Sequence, residues 1–424
     1  MPAVLIALCA FFTWSTWTVE AAAGERGGRA AGALWESRPD PSGKAYVVGG
    51  LNDESRAFAE GVRESLNGRA EVHVILGTPS EARTALLGLV GRGSPPRAIL
   101  ATPDAGAWAI WPALRAATPE LRPLRLITPP HQGRSAFLSS TNLRNVADQI
   151  SVIAILAVGM TLVIITGGID LSVGSLVALS AVAAAWVIRA FGGERAGIGA
   201  MALASLASIT AAGLIGALSG GVITRFRVPP FIATLAVMQV ASGLAFIASE
   251  GQTIYAMPQA FTDLGRGNAL AAMPNAVLIM LALYAAAHLL MNRTIMGRRI
   301  YAVGGNPEAA RLSGVQNART LLFVYTVSGL TAGIGGVITA SQLKAGSPTY
   351  GVMYELYAIA AVVVGGTSLS GGQGRVFGTL VGAFIIAVIR NGMNLMSVEP
   401  YTQKVILGLV ILGAVLVDQL RRRH

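Results

Sequence analysis

Ten apolar stretches, each long enough to cross a lipid bilayer, restrict the fold of this chain more than any other feature. A helical crossing needs about 20 consecutive, mostly apolar residues. The predicted spans are residues 2–19, 149–167, 173–191, 199–222, 230–249, 273–292, 320–341, 354–371, 376–394 and 402–419. The pattern therefore predicts an α-helical polytopic membrane protein with about ten transmembrane helices.

The composition agrees with this class and argues against several others. Charged residues make up 12% of the 424 residues, whereas a soluble domain carries about 25%. The net charge of +11 does not indicate nucleic-acid binding, because the arginines of the membrane part lie mostly in short loops, where membrane orientation explains them. The single cysteine, Cys9, and four scattered histidines predict neither a disulfide framework nor a metal site.

The loop charges predict the orientation in the cell inner membrane. On the side of both termini the loops carry eleven basic residues: Arg225, Arg227, Arg293, Arg298, Arg299, Arg311, Arg319, Arg375, Arg421, Arg422 and Arg423. With residues 20–147 left aside, the opposite side has six: Arg189, Arg195, Arg266, Lys344, Arg390 and Lys404. Cytoplasmic loops are enriched in Lys and Arg. We therefore expect cytoplasmic termini and an extracytoplasmic segment over residues 24–147.

A short polar helix is predicted between the sixth and seventh spans. Asn306 can cap it, Pro307 suits its first position, and Glu308 favours its positive end. The segment is Gly304, Gly305, Asn306, Pro307, Glu308, Ala309, Ala310, Arg311, Leu312 and Ser313. A helix of about two turns is marginal in water, so we expect it to lean on the membrane domain or a partner. This placement points to a transporter coupled to another protein.

Three hydrophilic breaks interrupt the apolar region, at residues 167–175, 227–231 and 365–375. Irregular backbone at membrane depth must be buried in protein or line a cavity. Asp170, in the first break, either caps the following helix or serves the transport path. Glu355 opens the eighth span and is either a solvated acid at a helix start or a substrate ligand.

One motif is misleading. Residues 369–373 spell Leu-Ser-Gly-Gly-Gln, the signature of ABC ATPases. A working ATP site also needs a glycine-rich loop that ends in Gly-Lys-Ser/Thr, and the sequence has none. The chain is therefore expected to be a transport subunit with no catalytic residues, no metal and no cofactor of its own, and any ATP hydrolysis belongs to a separate subunit.

Residues 142–418 resemble the permease subunit of ribose/xylose-type monosaccharide ABC importers. The resemblance is carried by residues 158–175, which include Thr-Gly-Gly-Ile-Asp-Leu-Ser-Val-Gly-Ser, and by Phe-Ile-Ala-Thr-Leu at 231–235. Residues 297–306 and their following helix match too, as do residues 358–368. The resemblance implies import of a ribose-like sugar or a related small polar solute through an alternating-access path.

The resemblance also implies the partners. It predicts a cytoplasmic ABC ATPase that holds ATP and Mg and receives the helix at Asn306–Ser313 in a groove, an extracytoplasmic sugar-binding protein, and a second permease copy. Motif and path residues carried over, together with the acids and amides noted on the spans, are Asp170, Ser172, Gly174, Ser175, Phe231, Thr234, Glu355, Thr367, Ser368, Asn391 and Asn394. Tyr357 departs from relatives that carry aspartate there, which leaves the sugar specificity open.

An insert follows the first span, where family members have a short loop. Apolar runs at 45–48, 72–76, 98–102 and 124–128 alternate with helical patterns at 54–66, 80–90 and 105–117. This alternation predicts a small α/β lobe with a four-stranded parallel sheet. Its pattern is similar to one lobe of a periplasmic sugar-binding protein. The lobe is predicted at 44–130, between linkers at 24–43 and 131–147, with the permease domain at 148–424.

The role of the lobe stays open between a docking or regulatory platform, a structural remnant and a weak sugar site. Ligands of open α/β sheets sit at the carboxyl ends of the strands, so the candidate edge consists of Asn52, Asp53, Thr102 and Asp104. Residues 1–23 are read as a retained first span, because the basic region of a secretory signal is missing. Cleavage as a signal peptide is the alternative, and both place the lobe outside.

Two other functions compete with the importer. A membrane-anchored sugar sensor would need only an anchor, and nine further spans exceed that need. A passive solute channel also needs polar breaks within its spans. An enzyme is not indicated, because no carboxylate pair, His-containing triad or metal cluster converges within the spans.

Overall fold

The computed structural model describes residues 1–37, 43–255, 257–269 and 273–422. The chain divides into two compact units. The membrane unit consists of residues 1–16 and 136–424, and the lobe consists of residues 17–135.

Helix α1 (Pro2–Ser15) opens the membrane unit, and the lobe follows it along the chain. The elements of the lobe are β1 (Trp17–Ala21), α2 (Gly24–Glu36), β2 (Lys44–Gly49), α3 (Asp53–Leu66), β3 (Glu71–Leu76), α4 (Pro79–Gly91), β4 (Ala98–Ala101), α5 (Pro103–Gly106), α6 (Ile110–Ala117), a 3-10 turn (Pro119–Leu121), β5 (Arg125–Ile127) and β6 (His131–Ser135). Strands β2 to β5 form a parallel sheet in the order β3-β2-β4-β5. The predicted four-stranded parallel sheet is confirmed.

Both faces of this sheet are covered. Ala31 and Trp35 of α2 pack with Phe58 and Val62 of α3 on one side, and Leu86 of α4 packs on the other. The inner strand β2 reads Ala-Tyr-Val-Val over its buried residues, as expected of a parallel strand buried on both faces. Strands β1 and β6 lie outside this sheet and pair antiparallel, with Trp17 opposite Ser135.

The predicted linkers of the lobe are wrong over most of their length. Residues 24–36 form α2, because the spacing of Ala31 and Trp35 places one face of the helix on the core. Residues 38–42 lie outside the described residues. In the second predicted linker, residues 131–135 form β6 by pairing with β1. The first span is shorter than predicted, because α1 ends at Ser15 and β1 begins at Trp17.

The remaining elements build the membrane unit. They are α7 (Ser140–Ile165), α8 (Val173–Ala190), a 3-10 turn (Gly193–Arg195), α9 (Ile198–Phe226), α10 (Pro230–Ala248), α11 (Gln259–Arg266), α12 (Asn275–Arg293), α13 (Ile295–Gly305), α14 (Pro307–Leu312), α15 (Asn317–Leu343), α16 (Tyr354–Val364), α17 (Val376–Leu395) and α18 (Pro400–Arg422). Helix α7 is buried along nearly its whole apolar length. It lies at the centre of this unit, against α15, α17, α16 and α12.

Seven helices in the described part of the chain are long and apolar enough to cross a membrane: α7, α8, α9, α10, α12, α15 and α17. Three shorter apolar helical stretches, Pro2–Ser15, Tyr354–Val364 and Pro400–Gly413, coincide with the other three predicted spans. The polytopic helical class is confirmed, and the number of ten crossings stays a prediction.

Helix α16 corrects the predicted span 354–371. It ends at Val364 after 11 residues, which at 1.5 Å per residue is about 16 Å, well short of the roughly 30 Å hydrocarbon core. The backbone turns at Gly365 and Gly366, where φ reaches +91°. Irregular backbone therefore flanks α16 at both ends, at residues 344–353 and 365–375.

Candidate functional site

The predicted polar helix exists as α14 and is defined at both ends. The Asn306 side chain accepts hydrogen bonds from the backbone N–H groups of Glu308 and Ala309, both at 3.0 Å, and Pro307 occupies the first position. At the other end, Ser313 is the C-cap. The N–H of Val315 donates to the Ala310 carbonyl at 2.9 Å and that of Gly314 to the Arg311 carbonyl at 3.0 Å. This pair of bonds is a Schellman motif, so the helix is closed at both ends.

The exposed face of α14 is charged around one apolar side chain. Arg311 Nε donates to Glu308 Oε2 at 3.2 Å, and this guanidinium holds the pKa of the Glu308 carboxyl below its usual value. The pair is therefore present at neutral pH and is lost only as the pH falls through that lowered pKa. Ala310 is buried beneath the helix, whereas Leu312 is 75% exposed.

Two connections tie α14 to the membrane unit. Asn317, the first residue of α15, donates its side-chain N–H to the Pro307 carbonyl at 2.8 Å. On the N-terminal side, only Asn306 separates α14 from α13. Gly304 and Gly305, which were predicted as part of the short helix, are the last residues of α13.

Gly304 lies against two other segments. A Cβ at this position would collide with the Ile165 carbonyl oxygen at the end of α7 and would lie 2.6 Å from the Gly372 nitrogen. The Gly372 N–H itself donates to the same Ile165 carbonyl at 2.8 Å. Tyr301 of α13 donates its hydroxyl to the Gly374 carbonyl, also at 2.8 Å. We call this meeting of α13, the end of α7 and the turn at 365–375 the glycine junction.

Asp170 is fully buried and holds three segments together. Its Oδ1 accepts from the Ser172 N–H at 3.0 Å and from the Ser172 hydroxyl at 2.6 Å, and its Oδ2 accepts from Ser328 of α15 at 2.7 Å. The Leu171 N–H donates to Thr234 of α10 at 3.1 Å. Asp170, Ser172 and Thr234 therefore form an internal polar cluster that fixes the turn before α8.

Gly174, Ser175 and Glu355 lie together on a cavity of about 240 Å³. Gly351 and Gly174 allow two backbones to touch there, because a Cβ on either would collide with the carbonyl of the other. Glu355 Oε2 lies against Gly174, and the carboxyl group is partly buried in the first turn of α16. The short helix and the irregular chain before it thus shape a cavity that several polar side chains reach, as expected of broken helices within a membrane.

The other predicted path residues do not line this cavity. Asn391 exchanges two side-chain hydrogen bonds with Asn142 at 2.8 and 3.0 Å, joining α17 to α7. Asn394 accepts from Gln403 at 2.8 Å. Thr367 and Ser368 belong to the turn after α16, where the Ser370 N–H donates to Ser368 at 3.1 Å. Phe231 is 53% exposed in the first turn of α10.

Three of the four residues predicted as the ligand edge of the lobe line one cavity. Asn52, Thr102 and Asp104 line a cavity of about 410 Å³, with Val19 of β1 and His131 of β6 in its wall. Asp53 is not among the residues that line it and instead faces solvent beside Arg56 at 3.3 Å. Asn52 also caps α3, accepting from the Ser55 N–H at 2.8 Å. Among the described residues, no group of three or more His, Cys, Asp and Glu side chains could hold a metal ion.

Reasoning from the sequence missed Gln239, Ser242 and Tyr350, which line the membrane cavity with Glu355. Gln239 and Ser242 are three residues apart on α10, a spacing that places them on one face. This spacing was the signal in the sequence that could have identified the pair. The chain from 344 to 353 gave none, because its fold around Gly351 depends on contact with α8.

A polytopic helical protein with a capped helix between two spans, and with a cavity beside a broken helix that polar side chains reach, has the architecture of a membrane permease. Residues 142–415 match the family described as "Branched-chain amino acid transport system / permease component". The chain belongs to this family of permease components.

Three curated relatives are similar over most of their length. The ribose import permease protein RbsC of Escherichia coli K12 is 44% identical over 287 residues, which are 66% of this chain and 87% of that protein. RbsC of Bacillus subtilis is 42% identical, over 67% of this chain and 86% of that protein. The L-arabinose transport system permease protein AraH of E. coli K12 is 35% identical, over 68% of this chain and 85% of that protein. No solved structure matches the chain.

Proposed function

We propose that this chain is the membrane-spanning permease subunit of an ATP-driven ABC importer for a monosaccharide or a related small polar solute. The family match and the relatives named for ribose and arabinose support the class and the substrate. The observation that carries the coupling is α14, a helix of only 6 residues that is capped at both ends and fastened to the membrane unit.

Helix α14 seats in a groove of a separate cytoplasmic ATPase, which binds ATP and Mg. In this proposal the partner surface covers the Leu312 side chain, which is 75% exposed in this chain alone. Force passes from α14 through α13 and the glycine junction to α7 and α17. A rigid connection is needed for this step, and backbone contacts without intervening side chains provide one.

The cavity beside α16 belongs to the sugar path. Ser175, Gln239, Ser242 and Glu355 offer hydroxyl, amide and carboxylate groups to sugar hydroxyls, and Tyr350 offers a ring face. Tilting of the surrounding helices opens the path outward and then inward, in an alternating-access cycle. In this proposal Asp170 and Asn391 hold the helices in place and do not touch substrate.

The proposed setting is the inner membrane, with both termini cytoplasmic and the lobe outside the cell membrane. Of the ten proposed crossings, one is made by the short helix α16 together with the irregular chain that flanks it. A second permease copy completes the path, and an extracytoplasmic sugar-binding protein delivers substrate. The lobe acts as a docking or regulatory platform, and its cavity near Asn52, Thr102 and Asp104 is the edge where a small polar ligand would bind.

The substitution Leu312→Glu tests the coupling. Purified protein in vesicles with the candidate ATPase and binding protein should lose at least tenfold of its ATP-driven sugar uptake, because a charge replaces the apolar contact. The Leu87→Glu variant, on a partly exposed site of α4, is the matched control and should keep uptake.

A second variant, Arg311→Pro, covers the case in which the partner surface tolerates the charge introduced by Leu312→Glu. Proline there clashes with the preceding turn of α14, whereas proline at 308 would lie in the first turn, where it is tolerated. Normal uptake by both Leu312→Glu and Arg311→Pro would refute the coupling role. Uptake that equilibrates without ATP would support a passive channel, and binding without uptake would support a sensor.

A further inference from the structure

Two adjoining cavities lie where α12 and α17 meet, next to the glycine junction. The larger, about 1090 Å³, is lined by polar groups of His288, Asn292, Tyr301, Gln373 and Arg375. The smaller, about 480 Å³, is lined by apolar residues that include Tyr284, Leu289 and Leu380. His288, Val376 and Phe377 belong to both cavities. The two cavities therefore share a wall, and we treat them as one site with a polar end and an apolar end.

The polar end favours an anion. Within the described residues no Asp or Glu lines either cavity, and Arg375 supplies a cation to the larger one. The Arg375 guanidinium can match the oxygens of a phosphate group. The Asn292 amide and the His288 imidazole, which are hydrogen-bonded to each other at 3.0 Å, lie in the same wall. The Tyr301 hydroxyl is already donated to the Gly374 carbonyl.

The apolar end favours a hydrocarbon chain. Leu289 is 58% exposed and Phe377 is 64% exposed, and both belong to helices long and apolar enough to cross the bilayer. A free sugar or a small soluble anion would leave this part of the site unfilled. A ligand that satisfies both ends carries a phosphate head and an acyl chain. Cationic pockets between the ends of transmembrane helices recognise such lipids.

We propose that this site, here called the lipid site, binds one anionic phospholipid. Its phosphate lies at Arg375, His288 and Asn292, and an acyl chain runs along Tyr284, Leu289 and Leu380. The head also contacts the turn at 365–375, which leads into α17 and includes Arg375. Tyr301 of α13 donates its hydroxyl to the Gly374 carbonyl of this turn. A bound lipid therefore stabilises the connection between the two helices. Its effect on uptake rests on the proposed function, whereas binding itself does not.

The test measures lipid binding directly. Full-length protein is delipidated in neutral detergent and titrated with phosphatidylglycerol, with phosphatidylcholine and with glycerol 3-phosphate, and retained lipid is counted by native mass spectrometry together with the melting temperature. We expect one retained phosphatidylglycerol and a higher melting temperature. We expect neither effect from the other two ligands at the same concentration.

Two variants locate the bound lipid. Arg375→Gln should weaken phosphatidylglycerol binding at least tenfold, and Leu380→Glu should do the same by placing a charge in the apolar end. Arg319→Gln, which removes an exposed arginine at the start of α15 outside both cavities, should bind as the wild type does. If Arg375→Gln does not fold, His288→Ala tests the same phosphate contact.

Three results would overturn the proposal. One is equal retention by Arg375→Gln and Arg319→Gln, and another is a response to glycerol 3-phosphate as strong as that to the lipid. The third is disulfide cross-linking of a Phe377→Cys variant, in a Cys9→Ser background, to a second copy of the chain, because the groove would then be an interface between protomers. If the wild-type protein retains no phosphatidylglycerol but takes up sugar normally, the lipid site is refuted and the importer proposal stands.

Discussion

At the scale of single residues, several of the predicted motif and path side chains hold helices together by hydrogen bonds. Asp170 accepts three hydrogen bonds, two from Ser172 and one from Ser328. A buried carboxylate is costly unless it is hydrogen-bonded in this way. Of the predicted path residues, Glu355 is the acid that reaches a cavity. Of these two acids, the fully buried Asp170 has a structural role, whereas the partly buried Glu355 is the candidate substrate ligand.

Gly304 provides a test at this scale. In Gly304→Ala the new methyl group would meet the Ile165 carbonyl and Gly372, so α13 must move away from α7. Overpacking of this kind costs about 1–3 kcal/mol. We expect a lower melting temperature and weaker ATP-driven uptake. The neighbouring Gly305→Ala, where a Cβ meets nothing within 4 Å, is the control, and equal behaviour of the two variants would argue against the glycine junction.

At the scale of elements, short helices depend on their attachments. Helix α14 has 6 residues and α16 has 11, and isolated helices shorter than about 12–15 residues are marginal in water. Caps and the Asn317 contact hold α14, whereas apolar burial of Ala358, Ala361 and Val362 holds α16. Each short helix can therefore be positioned by its surroundings, as expected of parts that move during transport.

The contact between α7 and α17 gives a prediction for these elements. Asn142 and Asn391 satisfy each other's amides within a buried region. Replacing one by leucine leaves a buried amide unsatisfied, which costs about 1–3 kcal/mol. The double variant Asn142→Leu with Asn391→Leu should cost less than the sum of the two, with a coupling of about 0.5–3 kcal/mol.

Thermal unfolding of the four proteins of this cycle in detergent measures the coupling. Additive losses would contradict the pairing. Altered sugar uptake with an unchanged melting temperature would instead indicate that Asn391 belongs to the transport path, as the sequence predicted.

At the scale of the whole molecule, the chain combines a helical membrane unit with an α/β lobe of residues 17–135. The lobe has its own core on both faces of its sheet. This organisation places a soluble fold between the first two apolar helices. The orientation of the membrane unit then decides which side of the membrane carries the lobe and which carries α14.

Cysteine labelling tests this orientation. In a Cys9→Ser background, a cysteine at Arg83, exposed on α4, should react with an impermeant maleimide added to intact cells. A cysteine at Arg311, exposed on α14, should react only after the membrane is opened. The opposite pattern would invert the proposed topology and remove α14 from reach of a cytoplasmic ATPase.

Local chemistry predicted much of the fold. The helix starts and breaks at Asn306, at Pro229–Pro230 and around Gly167 were found because proline, glycine and capping side chains act on their immediate neighbours. The family, and with it the permease class, was also predicted and is confirmed. The linker over residues 24–36 was mispredicted, because its content of glycine and arginine concealed an amphipathic face that only the core of the lobe reveals.

The sequence by itself determined the class of this protein, seven of its long apolar helices, the capped helix α14 and the parallel sheet of the lobe. Those features depend on residue composition and on contacts within a few positions along the chain. Only the tertiary structure decided that Asp170 and Asn391 are satisfied by distant partners, that Gln239 and Glu355 line the same cavity, and that Gly304 touches α7. These contacts join residues far apart in sequence, and their geometry exists only once the helices have packed.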